Sequence, residues 1–419
     1  MKIAVWHNLR SGGGKRALYD HVRGLIDRGH TVEAWCPPTA DPTYLPLSEL
    51  ITEHIVPLDW STEPLPNGLS YILSGRWDRV KLWRAMDRHC RQCAEEINQG
   101  GFDLLFTNPC ILLATSSIGR YVKIPKVIYL QEPRRPLYEA PYFPWPASPP
   151  ISIAKLLQKP TSLKKLFWDL FNDVVVFPGL RFQVREELAS AKAFDTILVN
   201  SFFSRESVLR AYGLDAKVCY LGVDTKKFVN RHQAREDFVV GVGALVNEKN
   251  IKFAIEAVAK VVDPRPQLIW ISNHSDSTYV EELKKLAYSK GVSFQVKIKI
   301  DDEELIDILN RAAMEVYAPR LEPFGYAPIE ANACGLPVVA VAEGGVRETV
   351  VDQVNGLLVE HDPQAMATVI QGLMNDKNYA RQLGEKGCIM AKDKWSYSAS
   401  IDRLESRFIE ILNKNSEIK

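Results

Sequence analysis

EPFGYAPIEANACGLPVVA, residues 322–340, carries two carboxylates, Glu322 and Glu330, eight positions apart around a Pro-Phe-Gly-Tyr turn. Pro328 suits the first position of a helix, Gly335 suits its C-terminal cap, and Pro337 cannot continue it. The spacing therefore predicts a short helix over 327–334, followed by the buried strand PVVAVA. In this reading Glu330 sits in the first helical turn, beside unsatisfied backbone N–H groups and the positive end of the helix dipole. The amides of Phe324, Gly325 and Tyr326 line the approach to the same terminus. Such a terminus can hold a phosphate, and a neighbouring carboxylate can accept hydrogen bonds from sugar hydroxyls.

Working outward, the same alternation of strand and helix fills the chain. Buried strands are expected at KIAVWH, TVEAWCP, LLFTN, KVIYLQ, TILVNS and KVCYLG in the first half, with helices over 15–28 and 202–212 between them. The second half repeats the scheme with FVVGVGAL, QLIWIS, SFQVKI, EVYAP and PVVAVA, and helices near 250–262, 278–290 and 302–313. Alternation of this kind makes parallel sheets covered on both faces. The expected fold is α/β, with two doubly wound Rossmann-like domains and ligands in a cleft at the carboxyl ends of their strands. The polar stretch 222–237 reads as the joint. An irregular insert, 133–180, is rich in Pro and aromatic residues. Within it Leu163, Leu166, Phe167, Leu170 and Val174 share one helical face. That face can dock on its own domain, or make peripheral membrane contact through 163–176 beside its lysines.

Composition narrows the classes. The chain has 419 residues, 46% hydrophobic and 25% charged, with a formal net charge of +1. A general nucleic-acid binder would show a strong basic excess. The apolar run at the start stops after Trp6, and no window is apolar enough to span a membrane. Seven cysteines are scattered without a secretory pattern, which fits a cytoplasmic chain. Cys90 and Cys93 form a lone CxxC without further ligands at zinc spacing, so no metal is expected there. His7, His21 and His30 have no partner at ligand spacing and read as structural or surface residues.

Glu322 and Glu330, with the following ACGLPVVAVAEGGVRETV, closely resemble the donor-site signature of the family 4 glycosyltransferases of GT-B fold. SGGGKRAL resembles that family's N-terminal glycine loop, VGALVNEKN its phosphate-binding segment, and GVDTKKF its interdomain stretch. DEEL is similar to its approach to the base pocket, and YLQEPRRPLYE to an element of its acceptor domain. The resemblance implies a retaining transferase that moves a sugar from a UDP- or GDP-sugar to an acceptor hydroxyl, with no metal and no cofactor. It implies an acceptor domain over 1–225, a nucleotide-sugar domain over 226–395, and a C-terminal helix, 396–419, returning to the first. By the same resemblance Glu330 binds the ribose hydroxyls, while Glu322 and the backbone after it, Phe324 to Tyr326, contact the transferred sugar. Lys249 neutralises the diphosphate, with Gly243 beside it, and Gly12, Gly13 and Gly14 approach from the other domain. Gln131 and Glu132 fall on the acceptor side.

Two positions depart from the family pattern. Ala244 stands where relatives usually carry an Arg, and Arg320, Lys297 or Lys299 are candidates to replace that cation. Gln131 stands where His is common, and glutamine can hydrogen-bond a substrate but cannot titrate as a base. Other readings of the chain are a donor-binding homologue with impaired catalysis, and a nucleotide-sugar epimerase on the same fold. A dinucleotide oxidoreductase is a further one, because Gly12 to Ala17 fits G-x-G-x-x-A with Glu33 downstream. Its first glycine, however, trails the expected strand by several residues.

Overall fold

The computed structural model describes residues 1–60, 69–139, 177–273 and 277–417. The membrane-facing alternative for 163–176, and most of the 133–180 insert, lie outside those residues. The chain divides into two compact units. One comprises 1–199, 205–218 and 404–419, and the other 200–204 and 219–403.

Among the described residues the first unit holds seven strands: β1 (Lys2–Asn8), β2 (Thr31–Cys36), β3 (Thr52–Ile55), β4 (Leu104–Cys110), β5 (Lys126–Tyr129), β6 (Thr196–Val199) and β7 (Lys217–Val218). They form one sheet in the order β3-β2-β1-β4-β5-β6-β7. Every pairing is parallel, with Trp6 opposite Trp35 and Val5 opposite Phe106. β1 is buried from Ile3 onward because helices cover both faces, which is why it reads as an apolar run rather than an alternation. The last helix, Tyr397–Glu417, closes this unit with its final turns. Glu405 accepts from Arg28 at 2.7 Å and pairs with His30 at 2.8 Å, and Phe408 packs edge-on against Phe106.

The second unit holds β8 (Phe238–Val242), β9 (Gln267–Ser272), β10 (Phe294–Ile298), β11 (Met314–Tyr317), β12 (Val338–Val341) and β13 (Gly356–Val359). Their order is β10-β9-β8-β11-β12-β13, again all parallel. Both sheets therefore have the expected doubly wound topology. Strand order reverses between β1 and β4 in the first sheet and between β8 and β11 in the second. Loops leaving those strands diverge to opposite faces and open a crevice at the carboxyl edge.

Two strands were absent from the sequence expectation. β3 carries Glu53 and His54 within four residues, and as an edge strand it lacks an apolar run. β13 is short and follows the turn at Asn355-Gly356, also at an edge. The helix that opens the glycine loop begins at Gly13 rather than Lys15, with Gly12 as its N-cap.

A buried amide pair fastens β13 to the helix Tyr326–Ala333. Asn355 Nδ2 donates to Asn332 Oδ1 at 2.7 Å and to Thr349 O at 2.8 Å, while Asn332 Nδ2 donates to Leu336 O and Asn355 O, each at 3.0 Å. Both residues are essentially inaccessible. Asn355→Ala strands several of these groups at once, and each unpaired buried polar group costs about 1–3 kcal/mol. Thermal denaturation should show a clear fall in Tm; an unchanged Tm would mean that the amides do not fasten this edge.

Candidate functional site

The switch point of the second sheet gathers most of the predicted residues. β8 runs into Gly243, and β11 runs into the loop 318–325. Trp270 Nε1 donates to Gly243 O at 2.9 Å, and Arg320 N donates to Glu248 O at 3.0 Å, so the two loops are joined through the backbone. Lys249 ends a short turn, Asn247–Lys249, and its Nζ donates to Glu322 Oε2 at 2.5 Å. The two side chains are 25% and 20% exposed, which leaves the remaining ammonium protons and carboxylate lone pairs open to a ligand. A Cβ at position 243 would stand 3.4 Å from the Lys249 stem, which places that stem against Gly243.

The helix following the loop is Tyr326–Ala333, one residue earlier than expected, with Gly325 as N-cap and Gly335 past its end. Pro328 is thus the third helical residue, where its missing N–H still costs no intrahelical bond. Glu330 becomes the fifth, and the first turn contains no acid. The expected first-turn position of Glu330 is corrected accordingly: it lies one turn in, only 3% exposed, and more than a dipole partner. Its charge and that of Glu322 add to the burial that drives the Tyr317 phenol far above its ordinary range. Burial, reinforced by Glu330, also holds the Glu315 carboxyl well above the carboxylate range, and neither Glu315 oxygen has a partner among the described residues.

Phe324 points inward. Its ring lies 5.6 Å from Trp395 and 5.8 Å from Tyr326, and it is 2% exposed. The side chain anchors the loop, so any ligand contact at 324 falls to the backbone.

Residues outside the predicted set shape the loop. Gly345 N donates to Glu322 O at 2.7 Å. A Cβ at 345 would stand 2.0 Å from Pro323 O, and one at 344 would stand 2.4 Å from Glu322 O. Gly344 also has φ +62, a region that side chains disfavour. Ser201 Oγ also donates to Pro323 O, at 2.5 Å. The Gly-Gly of EGGVRE is visible in the sequence as a tight turn, but only the fold shows what it touches. Arg320 is engaged with Glu343 at 2.9 Å and Lys297 with Glu304 at 2.5 Å, while Lys299 is exposed.

In the first unit the glycine loop meets Gln131: a Cβ at Gly14 would lie 3.0 Å from Gln131 Nε2. That nitrogen is buried without a partner among the described residues, and Gln131 has φ 62. Glu132 pairs with Arg135 at 2.7 Å. Beneath the loop, His7 Nε2 bonds Glu53 Oε1 at 2.9 Å, and Cys36 Sγ lies 3.7 Å from the same oxygen. His7 and His30 thus have partners that sequence spacing could not reveal. His7, Cys36 and Glu53 have metal-ligand chemistry and lie close together. Burial, however, lowers the His7 pKa and pushes the Cys36 thiol up to about 12, and the buried Lys15 ammonium couples to both. A cation lodged beside a protonated thiol disfavours a metal, and the cluster reads as a polar core. Cys90 and Cys93 are buried free thiols.

Comparison with known proteins locates this geometry. Residues 222–389 match the sequence model of the family described as "Glycosyl transferases group 1". A D-inositol 3-phosphate glycosyltransferase of Catenulispora acidiphila is 30% identical over 246 residues, covering 53% of this chain and 59% of that protein. The alpha-1,3/1,6-mannosyltransferase ALG2 of Rhizomucor pusillus is 35% identical over 111 residues, covering 26% and 24%. The chain therefore spans only part of the length of these curated relatives. Among solved structures, the Anabaena HepE protein in complex with UDP and glucose superimposes with a TM-score of 0.69 at 18% identity, over 98% of this chain and 100% of that one. Sucrose-phosphate synthase from Thermosynechococcus elongatus gives 0.70 at 19%, over 99% and 100%. At those identities the likeness establishes the GT-B fold.

The loop's shape depends on backbone approach more than on its ion pair. Gly345→Ala should destabilise by about 1–3 kcal/mol, the usual scale for overpacking. Glu322→Gln removes a partly exposed pair, generally worth about 0–1 kcal/mol. Calorimetry of the two variants should rank them in that order; the reverse ranking would make the ion pair the element that holds the loop.

Proposed function

We propose that the chain, whose residues 222–389 match the group 1 glycosyl transferase model, transfers a sugar from a nucleoside-diphosphate sugar to an acceptor hydroxyl. The donor is a UDP- or GDP-sugar, the anomeric configuration is retained, and no metal takes part. The observation that carries this reading is the meeting of Lys249 and Glu322 at the carboxyl ends of β8 and β11, beside the N-terminus of the helix that bears Glu330. Relatives support it: one is named as a glycosyltransferase of D-inositol 3-phosphate, and HepE binds UDP and glucose.

Each residue then has a chemical task. Glu330 accepts hydrogen bonds from the ribose hydroxyls, and Glu322 does the same for the transferred sugar. As the bond from the anomeric carbon to the diphosphate breaks, charge builds on the leaving oxygen. Lys249 and the amides of Phe324, Gly325 and Tyr326 stabilise that charge. The acceptor oxygen forms the new bond to the anomeric carbon, and its proton passes to the departing diphosphate. On the acceptor unit, Gln131 and Glu132 orient the acceptor by hydrogen bonding, with Gly12 to Gly14 giving close backbone approach. Arg320 can assist the diphosphate only by exchanging Glu343 for phosphate.

A thermal-shift series with UDP, GDP, ADP and NAD tests the donor class. A ligand at 100 times its dissociation constant should stabilise by about 2.7 kcal/mol. UDP or GDP should raise Tm. Lys249→Met and Glu330→Gln should each weaken that nucleotide about tenfold, on the scale of one charge-assisted hydrogen bond, while apo Tm stays near wild type. A shift with NAD alone, or nucleotide binding indifferent to both substitutions, would overturn the assignment.

A further inference from the structure

The first unit has its own crevice, and its charge is unbalanced. A cavity of about 330 Å³ opens at the switch point of the first sheet. Arg10 follows β1, Ile111 to Leu113 follow β4, and Arg134 follows β5, so the floor is made from the carboxyl edge of three neighbouring strands. Arg79, on the helix Leu69–Gln99, and Gln183, on the helix Phe177–Ala191, close the side. The volume falls in the range of small-molecule sites, and its position follows the rule for wound sheets.

Three guanidinium groups share this space, and none forms an ion pair with a described carboxylate. Arg134 Nη1 donates to Leu112 O at 2.8 Å, and Arg79 Nη1 donates to Gln183 Oε1 at 2.5 Å; both acceptors are neutral. Arg10 is exposed on its loop and has no hydrogen bond to any described residue. Burial, and then repulsion from Arg134, lowers the Arg79 pKa. Among the described residues, Glu187 couples to both; it is 1% exposed, with Oε1 held by Gln183 Nε2 at 2.8 Å. Burial pushes that carboxyl up, against the pull of Gln183, Arg134 and Arg79, so it is a poor counter-ion. Like charges kept this close in a partly buried crevice are costly unless an anion joins them.

The flanks have a different character. Trp60, Trp83 and Phe182 are half-buried around the arginines, with Phe182 edge-on to Trp83 at 5.7 Å. Aromatic faces of this kind suit the carbon skeleton of a ring or polyol. One planar guanidinium satisfies a carboxylate, whereas three approaching from separate elements match the oxygens of a tetrahedral dianion.

We propose that this cavity binds the acceptor, and that the acceptor is a hydroxyl compound bearing a phosphate ester, with Arg10, Arg79 and Arg134 as the counter-charges. The inference deepens the glycosyl-transfer reading and rests on it. Calorimetric titration of the full chain, with UDP present to fill the diphosphate site, tests it using glucose 6-phosphate, glucuronate and glucose as probes. Glucose 6-phosphate should bind while glucose does not, and Arg10→Gln and Arg79→Gln should each weaken it tenfold or more without changing UDP affinity. Arg10→Gln carries the test even where Arg79→Gln disturbs the packing of its helix, because Arg10 lies exposed on a loop. No binding of glucose 6-phosphate, equal binding by both variants, or a preference for glucuronate would overturn the proposal. Failure of UDP to bind, with arginine-dependent binding of glucose 6-phosphate intact, would refute the transferase reading and the acceptor role with it, leaving an anion site. UDP binding with indifferent arginines would refute this inference alone.

Discussion

The hydrogen bond from Gly345 N to Glu322 O, 2.7 Å long, is the constraint on which the second unit's site depends. It requires the backbone of 344–345 to lie against that of 322–323 with no side chain between them. That contact sets where the Glu322 carboxylate reaches Lys249 and where the chain enters the helix Tyr326–Ala333. The Phe324 ring, held against Trp395, completes the anchoring from below. A loop fixed by backbone contacts keeps its shape when a ligand takes over the lysine and the carboxylate. Preorganisation of this kind lets fixed charges and dipoles act on a leaving group without rearranging first.

Both units solve the problem of a binding site in the same way. Each sheet reverses its strand order once, and each reversal gathers polar groups at a carboxyl edge. In the second sheet those groups are Lys249, Glu322 and the helix terminus beside Glu330. In the first they are the glycine loop with Gln131, and the arginines of the cavity. The buried His7–Glu53–Cys36 cluster lies under the first loop, with Glu53 Oε1 shared by His7 Nε2 and Cys36 Sγ and the Lys15 ammonium coupled to it.

Much of this was legible in the sequence because its signals are local. Runs such as QLIWIS and PVVAVA are buried throughout, and their spacing gives two wound sheets without reference to packing. Pro328, Gly335 and Pro337 bracket a helix to within one residue. What escaped was non-local or polar. β3 has glutamate and histidine inside it, so no apolar pattern marks it, and its Glu53 finds His7 only when the sheet forms. Glu330 reads as a first-turn acid when Pro328 is the first helical residue; with Gly325 as N-cap, the helix starts at Tyr326 and leaves it one turn in. Gly344 and Gly345 announce a turn but not the Glu322–Pro323 backbone they accommodate. Arg10, Arg79 and Arg134 lie on three separate elements, and no spacing rule joins them.

The proposed nucleotide site is built from Lys249, Glu322, Glu330 and the amides of 324–326. A crystal structure of the full chain with UDP bound tests it most directly. The diphosphate is expected within hydrogen-bond reach of Lys249 Nζ and those amides, with the ribose hydroxyls on the Glu330 carboxylate. UDP bound away from this loop, or with its ribose clear of Glu330, would contradict it.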